Sequence, residues 1–178
     1  NGVAVVTNPG AKGKGTLVVL NDEIHYARNV MKTNTTTVQT FVSINRGPAG
    51  VVNTGKIQWF EPMDRKVGPA TGFSVDALDK LPRVDVIYAH ANMSADLIDA
   101  AIKNGAKGLV IAGVGDGNMT TPALDAVTRA AKSGIVVVRS TRLASGITLR
   151  NNEVNDDEKG LVASGELNAA ESRVLLQL

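Results

Sequence analysis

The chain has 178 residues, with 19 Lys and Arg against 17 Asp and Glu, a net charge of +2, and 43% hydrophobic residues. This is enough apolar material for one domain or two small ones, and the charge is too balanced for a nucleic-acid footprint; the short basic stretch AKGKG (11–15) has no aromatic neighbour for base stacking. The absence of cysteine excludes thiol catalysis, disulfides and thiolate metal sites, and with no apolar run near ~18 residues nothing reads as a membrane span.

In chain order, GTLVVLND (15–22) reads as a buried strand, a β-branched run bounded by Gly and Asn-Asp. Residues 23–45 are rich in Thr and Asn, and AGVVNTGKIQWF (49–60) predicts a hairpin turning at Asn53-Thr54-Gly55. Residues 61–82 carry three of the six prolines and little periodicity, the pattern of a linker. The pattern then becomes regular. Strands are predicted at 83–90, 107–113 and 134–141. Between them lie two helices. The first, 94–105, has Ser94 as N-cap, Leu97, Ile98, Ala101 and Ile102 on one face, and Gly105 past its end. The second, 121–134, has Thr121 as cap, Pro122 in its first turn and Gly134 as its stop. Apolar strands alternating with short helices predict a doubly wound α/β domain with a parallel sheet and helices on both faces. At the end, Asn168 and Glu171 have capping-box spacing before an apolar face of Val174, Leu175, Leu176 and Leu178. Both ends are apolar where termini are usually polar and frayed, so the chain reads as a piece of a longer protein.

The turn GVGDGN (113–118) leaves the carboxyl end of a strand, where such sheets bind ligands. It fails the dinucleotide fingerprint. Gly113 and Gly115 fit, but the sixth position is Asn118, and the next strand ends in Arg139-Ser140-Thr141 rather than a ribose-binding acid. The phosphate-loop Gly-Lys-Ser/Thr is absent too. Two readings stay open: a tight turn with Asn118 as a turn or capping residue, or Asn118 pointing into a polar pocket.

Four stretches in order, LVVLNDEIHYARNVMKTNTTTVQTF (17–41), GVGDGN (113–118), VVVRSTR (136–142) and LRNNEVNDDEKGLVASGELNAAESRVLLQL (149–178), resemble the bacterial-type L-asparaginases, the secreted type II branch most closely. The resemblance implies amide hydrolysis of L-asparagine to L-aspartate and ammonia by a threonine nucleophile, with weaker action on L-glutamine. It implies a homotetramer built as a dimer of tight dimers, no cofactor and no metal, and a periplasmic or secreted location. It makes residues 1–60 the end of the N-terminal α/β domain, 61–82 the linker, and 83–178 a flavodoxin- or Rossmann-like C-terminal α/β domain, incomplete at its end. The family's Thr-Gly-Gly-Thr and His-Gly-Thr-Asp motifs, which carry the nucleophile and most of its relay, do not occur in these residues. The isolated chain is therefore expected to be inactive.

Three residues carry over from the resemblance. Lys32, in MKTN, matches the relay lysine and is the catalytic candidate; without the resemblance it reads as a solvated loop lysine. Asn118 and Glu153 match the residues that reach the substrate in the neighbouring subunit's site. A carboxylate can pair with an α-ammonium group and an amide can hydrogen-bond polar groups. Read alone, Glu153 belongs to a solvated acidic run, NNEVNDDEKG (151–160). Members with strong glutaminase activity tend to have Ser where Asn118 stands. His25 and His90 lack metal-ligand spacing, Ser140 and Thr141 lack a nucleophile elbow, and Thr33 and Thr35 to Thr37 read as loop hydroxyls. The alternative is a small-molecule binding module, such as half of a two-domain solute-binding protein, without catalysis.

Overall fold

In the computed structural model, which describes residues 1–60, 62 and 65–178, the chain divides into two units, Asn1–Ser74 and Val75–Leu178. Of the predicted linker 61–82, residues 61, 63 and 64 lie outside the described residues; the rest includes a 3-10 turn at Gly68–Thr71.

The first unit begins with a short helix, α1 (Gly2–Thr7), and a 3-10 turn at Pro9–Ala11. Strands β1 (Leu17–Leu20) and β2 (Glu23–Tyr26) form a hairpin closed by Asn21 and Asp22, both at positive φ. After β3 (Met31–Lys32) and β4 (Phe41–Val42), strands β5 (Gly50–Asn53) and β6 (Lys56–Trp59) form the predicted hairpin, closed by Thr54 and Gly55 at positive φ. Two central residues at positive φ match the twist of the flanking strands. The main sheet is antiparallel in the order β1-β2-β5-β6, and β3 and β4 pair separately. Ile24, Tyr26 and Val52 point to one side and bury with Val5 and Ala49. β1 is half-buried rather than buried as predicted, because it is an edge strand and only Leu17 and Val19 face this core. On the other side of β2, His25 is buried with its Nδ1 2.9 Å from Ser43 Oγ. Burial pushes this imidazole below its usual 6.5, with Glu23 raising it back in part, as befits a neutral core histidine.

The second unit is a four-stranded parallel sheet: β7 (Val84–Tyr88), β8 (Gly108–Gly113), β9 (Val136–Thr141) and β10 (Val162–Ala163), in the order β10-β9-β8-β7. Helices α2 (Asp96–Lys103) and α3 (Thr121–Lys132) are the crossovers β7 to β8 and β8 to β9; α4 (Asp156–Lys159) and α5 (Ala169–Gln177) flank β10. All six residues of β8 are buried. Leu109 and Ile111 join Ile98, Ala126 and Val127 in one core, while Val110 and Ala112 join Val84, Val138 and Ala169 in another. The period of two thus sends alternate side chains to helices on opposite faces. Fully buried residues such as Leu109 and Ile111 each contribute roughly 1.5–3 kcal/mol. The class is the expected α/β sheet with helices on both faces. Its strands add in one direction, without the reversal of order found in doubly wound sheets, and α5 supplies the second face.

Two helix starts differ from expectation. α2 begins at Asp96, and Ser94 Oγ accepts only a 3.3 Å bond from Asp96 N. Leu97 is exposed because it lies roughly 100° around the helix from buried Ile98. α3 is capped by Thr120, not Thr121: Thr120 Oγ1 accepts from Ala123 N and donates to Met93 O at 2.7 Å. The Asn168–Glu171 capping box is formed in both directions, at 3.0 and 2.9 Å. Among the described residues no helix is long and apolar enough to cross a membrane.

Candidate functional site

The glycine turn leaves the carboxyl end of β8 and returns at once. Val114 and Asn118 exchange backbone hydrogen bonds, both 2.8 Å, with Gly115 and Gly117 at positive φ between them. A Cβ on Gly113 would lie 2.4 Å from the Gly117 carbonyl carbon, and one on Gly117 would lie 2.8 Å from Arg139 Nη1. The glycines therefore permit a turn folded flat against its own strand. The Val114 and Asn118 amides are used in closing the turn.

Arg139, wholly buried on β9, is the centre of the arrangement. Its Nε and Nη2 each donate to one oxygen of Asp156 at 2.7 Å, Nη2 also donates to Leu149 O at 2.7 Å, and Nη1 donates to Asp116 O. Asp156 is equally buried and also accepts from Asn151 N at 2.9 Å. Thr141 Oγ1 donates to Gly115 O at 2.6 Å, and Arg142 N to Gly113 O at 2.9 Å. The Asp116 carboxylate accepts from Leu149 N through Oδ1 and from Asn152 Nδ2 through Oδ2, both at 2.7 Å. Turn 113–118 and segment 149–156 are thereby drawn to one end of the sheet.

Two of the three predicted site residues meet there. Asn118 Nδ2 donates to Glu153 Oε2 at 3.2 Å, and both side chains are exposed. Asn118 Oδ1 accepts from Met119 N at 2.8 Å, so the free end of the amide is a donor. Asn118 is thus a turn residue and an outward-facing polar group at once. Glu153 is followed by Val154, buried in the core, which roots the segment.

Lys32 lies in the first unit. It closes β3 opposite Phe41, is exposed, and holds its Nζ 5.4 Å from the Phe41 ring centroid. The loop after it is knitted by its own hydroxyls and amides. Thr33 N and Oγ1 both donate to Thr40 O, at 2.7 and 2.9 Å, and Asn34 Oδ1 accepts from Thr36 N and Thr37 N at 3.0 and 3.1 Å.

Sequence reading missed Arg139, Asp116 and Asp156. The available signal was an arginine inside the apolar run VVVRST: a buried guanidinium must find a carboxylate and carbonyls to replace water. The acidic run 151–160 is not uniformly solvated, because Asp156 is that carboxylate. Burial, the largest influence, raises the Asp156 carboxyl. The hydrogen bonds from Arg139 and Asn151 N, with the Arg139 charge, outweigh it and the opposing Asp157, leaving the group below its ordinary 3.8. A carboxylate with a lowered folded value contributes stability that is complete above its unfolded value and lost as pH falls through the folded one. Stability in urea should therefore hold from neutral pH to about pH 5 as far as this group is concerned, then fall below about pH 4. Asp156→Asn should be less stable at pH 7 but show a shallower acid decline; parallel pH curves for the two would contradict this linkage.

Sequence comparison adds two matches along the chain. The model of the Glutaminase/Asparaginase C-terminal domain matches residues 83–178, and that of the Asparaginase N-terminal domain matches residues 1–65. The chain is 47% identical to "L-asparaginase 2" of Bacillus subtilis, 44% to "Probable L-asparaginase periplasmic" of Haemophilus influenzae and 43% to "L-asparaginase 2" of Escherichia coli. Each match covers the whole chain and 47%, 51% and 51% of the respective relative. The chain thus spans about half the length of the curated relatives it matches.

Proposed function

Because this chain belongs to the glutaminase/asparaginase family, we propose that it forms part of an amidohydrolase converting L-asparagine to L-aspartate and ammonia, with L-glutamine as a weaker substrate. A threonine hydroxyl outside these residues attacks the side-chain amide carbon. Ammonia leaves, and water then hydrolyses the ester to release aspartate. Lys32 serves the relay that takes the threonine proton. Asn118 and Glu153 grip the amino-acid end of the substrate in the neighbouring subunit's site, within a tetramer of two tight dimers. Residues 1–60 complete the N-terminal domain, 61–82 link, and 83–178 form the C-terminal domain. The name of the Haemophilus influenzae relative supports a periplasmic location.

The observation that carries this reading is the 3.2 Å contact between Asn118 and Glu153, 35 residues apart. It presents a carboxylate and an amide donor side by side at the carboxyl end of a parallel sheet. That pair suits the ammonium and carboxylate of an α-amino acid. Glu153 Oε1 remains for the ammonium and the second Asn118 N–H for the carboxylate.

The test is subunit mixing in the full-length protein. Glu153→Ala subunits and nucleophile-dead subunits should each release little ammonia alone. Mixed and reassembled, they should regain activity, because an intact hydroxyl then faces an intact Glu153. Mixed oligomers that stay inactive would overturn the shared site. Asparagine binding without ammonia release by the wild-type protein would favour the binding-module alternative. The 178 residues alone are expected to release none.

A further inference from the structure

We infer that Asp116 is a positioning residue: its carboxylate sets the spacing of Asn118 and Glu153 and so tunes how tightly the amino-acid substrate is held. The inference rests on the substrate-gripping role proposed above for that pair. Asn118 and Glu153 stand on different segments, and their own contact is one exposed hydrogen bond, too weak to fix two side chains. Asp116 supplies what that bond cannot. It lies two residues before Asn118. Its Oδ1 takes the backbone N–H of Leu149 and its Oδ2 takes the side-chain amide of Asn152, the residue immediately before Glu153, both at 2.7 Å. One carboxylate thus spans the gap between the segments at two points. Arg139 fixes the height of both segments over the sheet through Asp116 O and Leu149 O. Asp116 fixes their lateral register.

A carboxylate suits this position. An ionised Asp offers two acceptor oxygens in one rigid plane, one for the Leu149 N–H and one for the Asn152 NH2. Asparagine at 116 would keep one acceptor and turn an NH2 towards Asn152, which must turn its own amide over to accept it. The bond to Arg139 is made by the Asp116 backbone carbonyl, so substitutions of its side chain leave the buried ion pair intact. Asp116 touches no reacting atom in this scheme, and its effect runs through Glu153 and Asn118.

The experiment uses the full-length protein with L-asparagine as probe. It measures ammonia release for Asp116→Ala, Asn152→Ala, Asp116→Asn and the exchange Asp116→Asn with Asn152→Asp, with Glu153→Ala as reference. Asp116→Ala should raise KM about tenfold while kcat falls less than about threefold, the signature of lost binding rather than lost chemistry. Asn152→Ala, which removes only one exposed side-chain bond, should move KM the same way by a smaller factor. The exchange reverses donor and acceptor across the same gap, so it should recover most of the KM lost in Asp116→Asn, a rescue that a merely structural role would not produce. Crystal structures of the variants should show Asn118 and Glu153 separated in Asp116→Ala and in contact again in the exchange. An Asp116→Ala protein with wild-type KM, or with the Asn118–Glu153 contact unchanged, overturns the inference while the parent reading stands. A Glu153→Ala protein with wild-type KM overturns the parent reading, and the inference falls with it.

Discussion

Replacing Lys32 by alanine in the full-length protein should lower kcat for asparagine by roughly 10²–10⁴-fold and leave KM within a few-fold. A hydroxyl nucleophile is weak until a neighbour takes its proton, and the proposed reaction gives the lysine that step rather than the holding of substrate. The structure limits the competing explanation, a loss of folding. Lys32 is exposed at the end of a two-stranded hairpin, and its described contact is with the Phe41 ring at 5.4 Å. An exposed cation–π contact of that kind is worth about 0.5–1 kcal/mol. The hairpin itself is held by Thr33, Asn34 and Thr40. Lys32→Ala should therefore melt close to the wild type while its turnover collapses. Lys32→Arg separates two versions of the role: a guanidinium keeps the charge but cannot give up a proton at working pH. Recovery of turnover by Arg assigns Lys32 to steadying an adjacent carboxylate, and failure to recover assigns it to moving a proton. A Lys32→Ala protein with parental kcat would end the catalytic assignment.

Arg139→Met should destabilise the second unit by about 3–5 kcal/mol, the cost of leaving Asp156 buried without its partner. The methionine fits an apolar strand, but it abandons two carboxylate oxygens and the carbonyls of Asp116 and Leu149. Pairing Arg139→Met with Asp156→Leu should recover much of the loss, since two apolar groups need no solvation. The double variant should still grip substrate poorly, because the turn and the 149–153 segment have lost their common anchor. Urea unfolding of the single and double variants gives the coupling. A single variant as stable as the wild type would mean the pair is solvated in solution.

What could be read from sequence was what local pattern encodes. Strands β7, β8 and β9 of the second unit, the Asn53–Gly55 hairpin and the Asn168–Glu171 capping box each follow from residues a few positions apart. One-residue decisions fared worse: Thr120 and Thr121 are chemically the same cap, and tertiary contact with Met93 O selects the first. Leu97 reads as core on a pattern centred one residue away, yet the face that packs is that of Ile98 and Ala101. The short α4 and β10 carry too few residues for any period to show. The site was legible as residue types but not as a constellation. Nothing in spacing says that Asn118 meets Glu153, 35 positions on, or that Arg139 reaches forward to Asp156 and back to Asp116. Those meetings are products of the parallel sheet, which lines up strand ends from distant parts of the chain.

Surface loops are ordinarily the first places where a native protein breathes, since little is lost when they lift away. Here the loops draw their grip from a guanidinium sunk in β9, so neither can peel off without taking a carbonyl acceptor from its buried N–H groups. The rim that carries Asn118 and Glu153 therefore borrows its stiffness from the sheet beneath it.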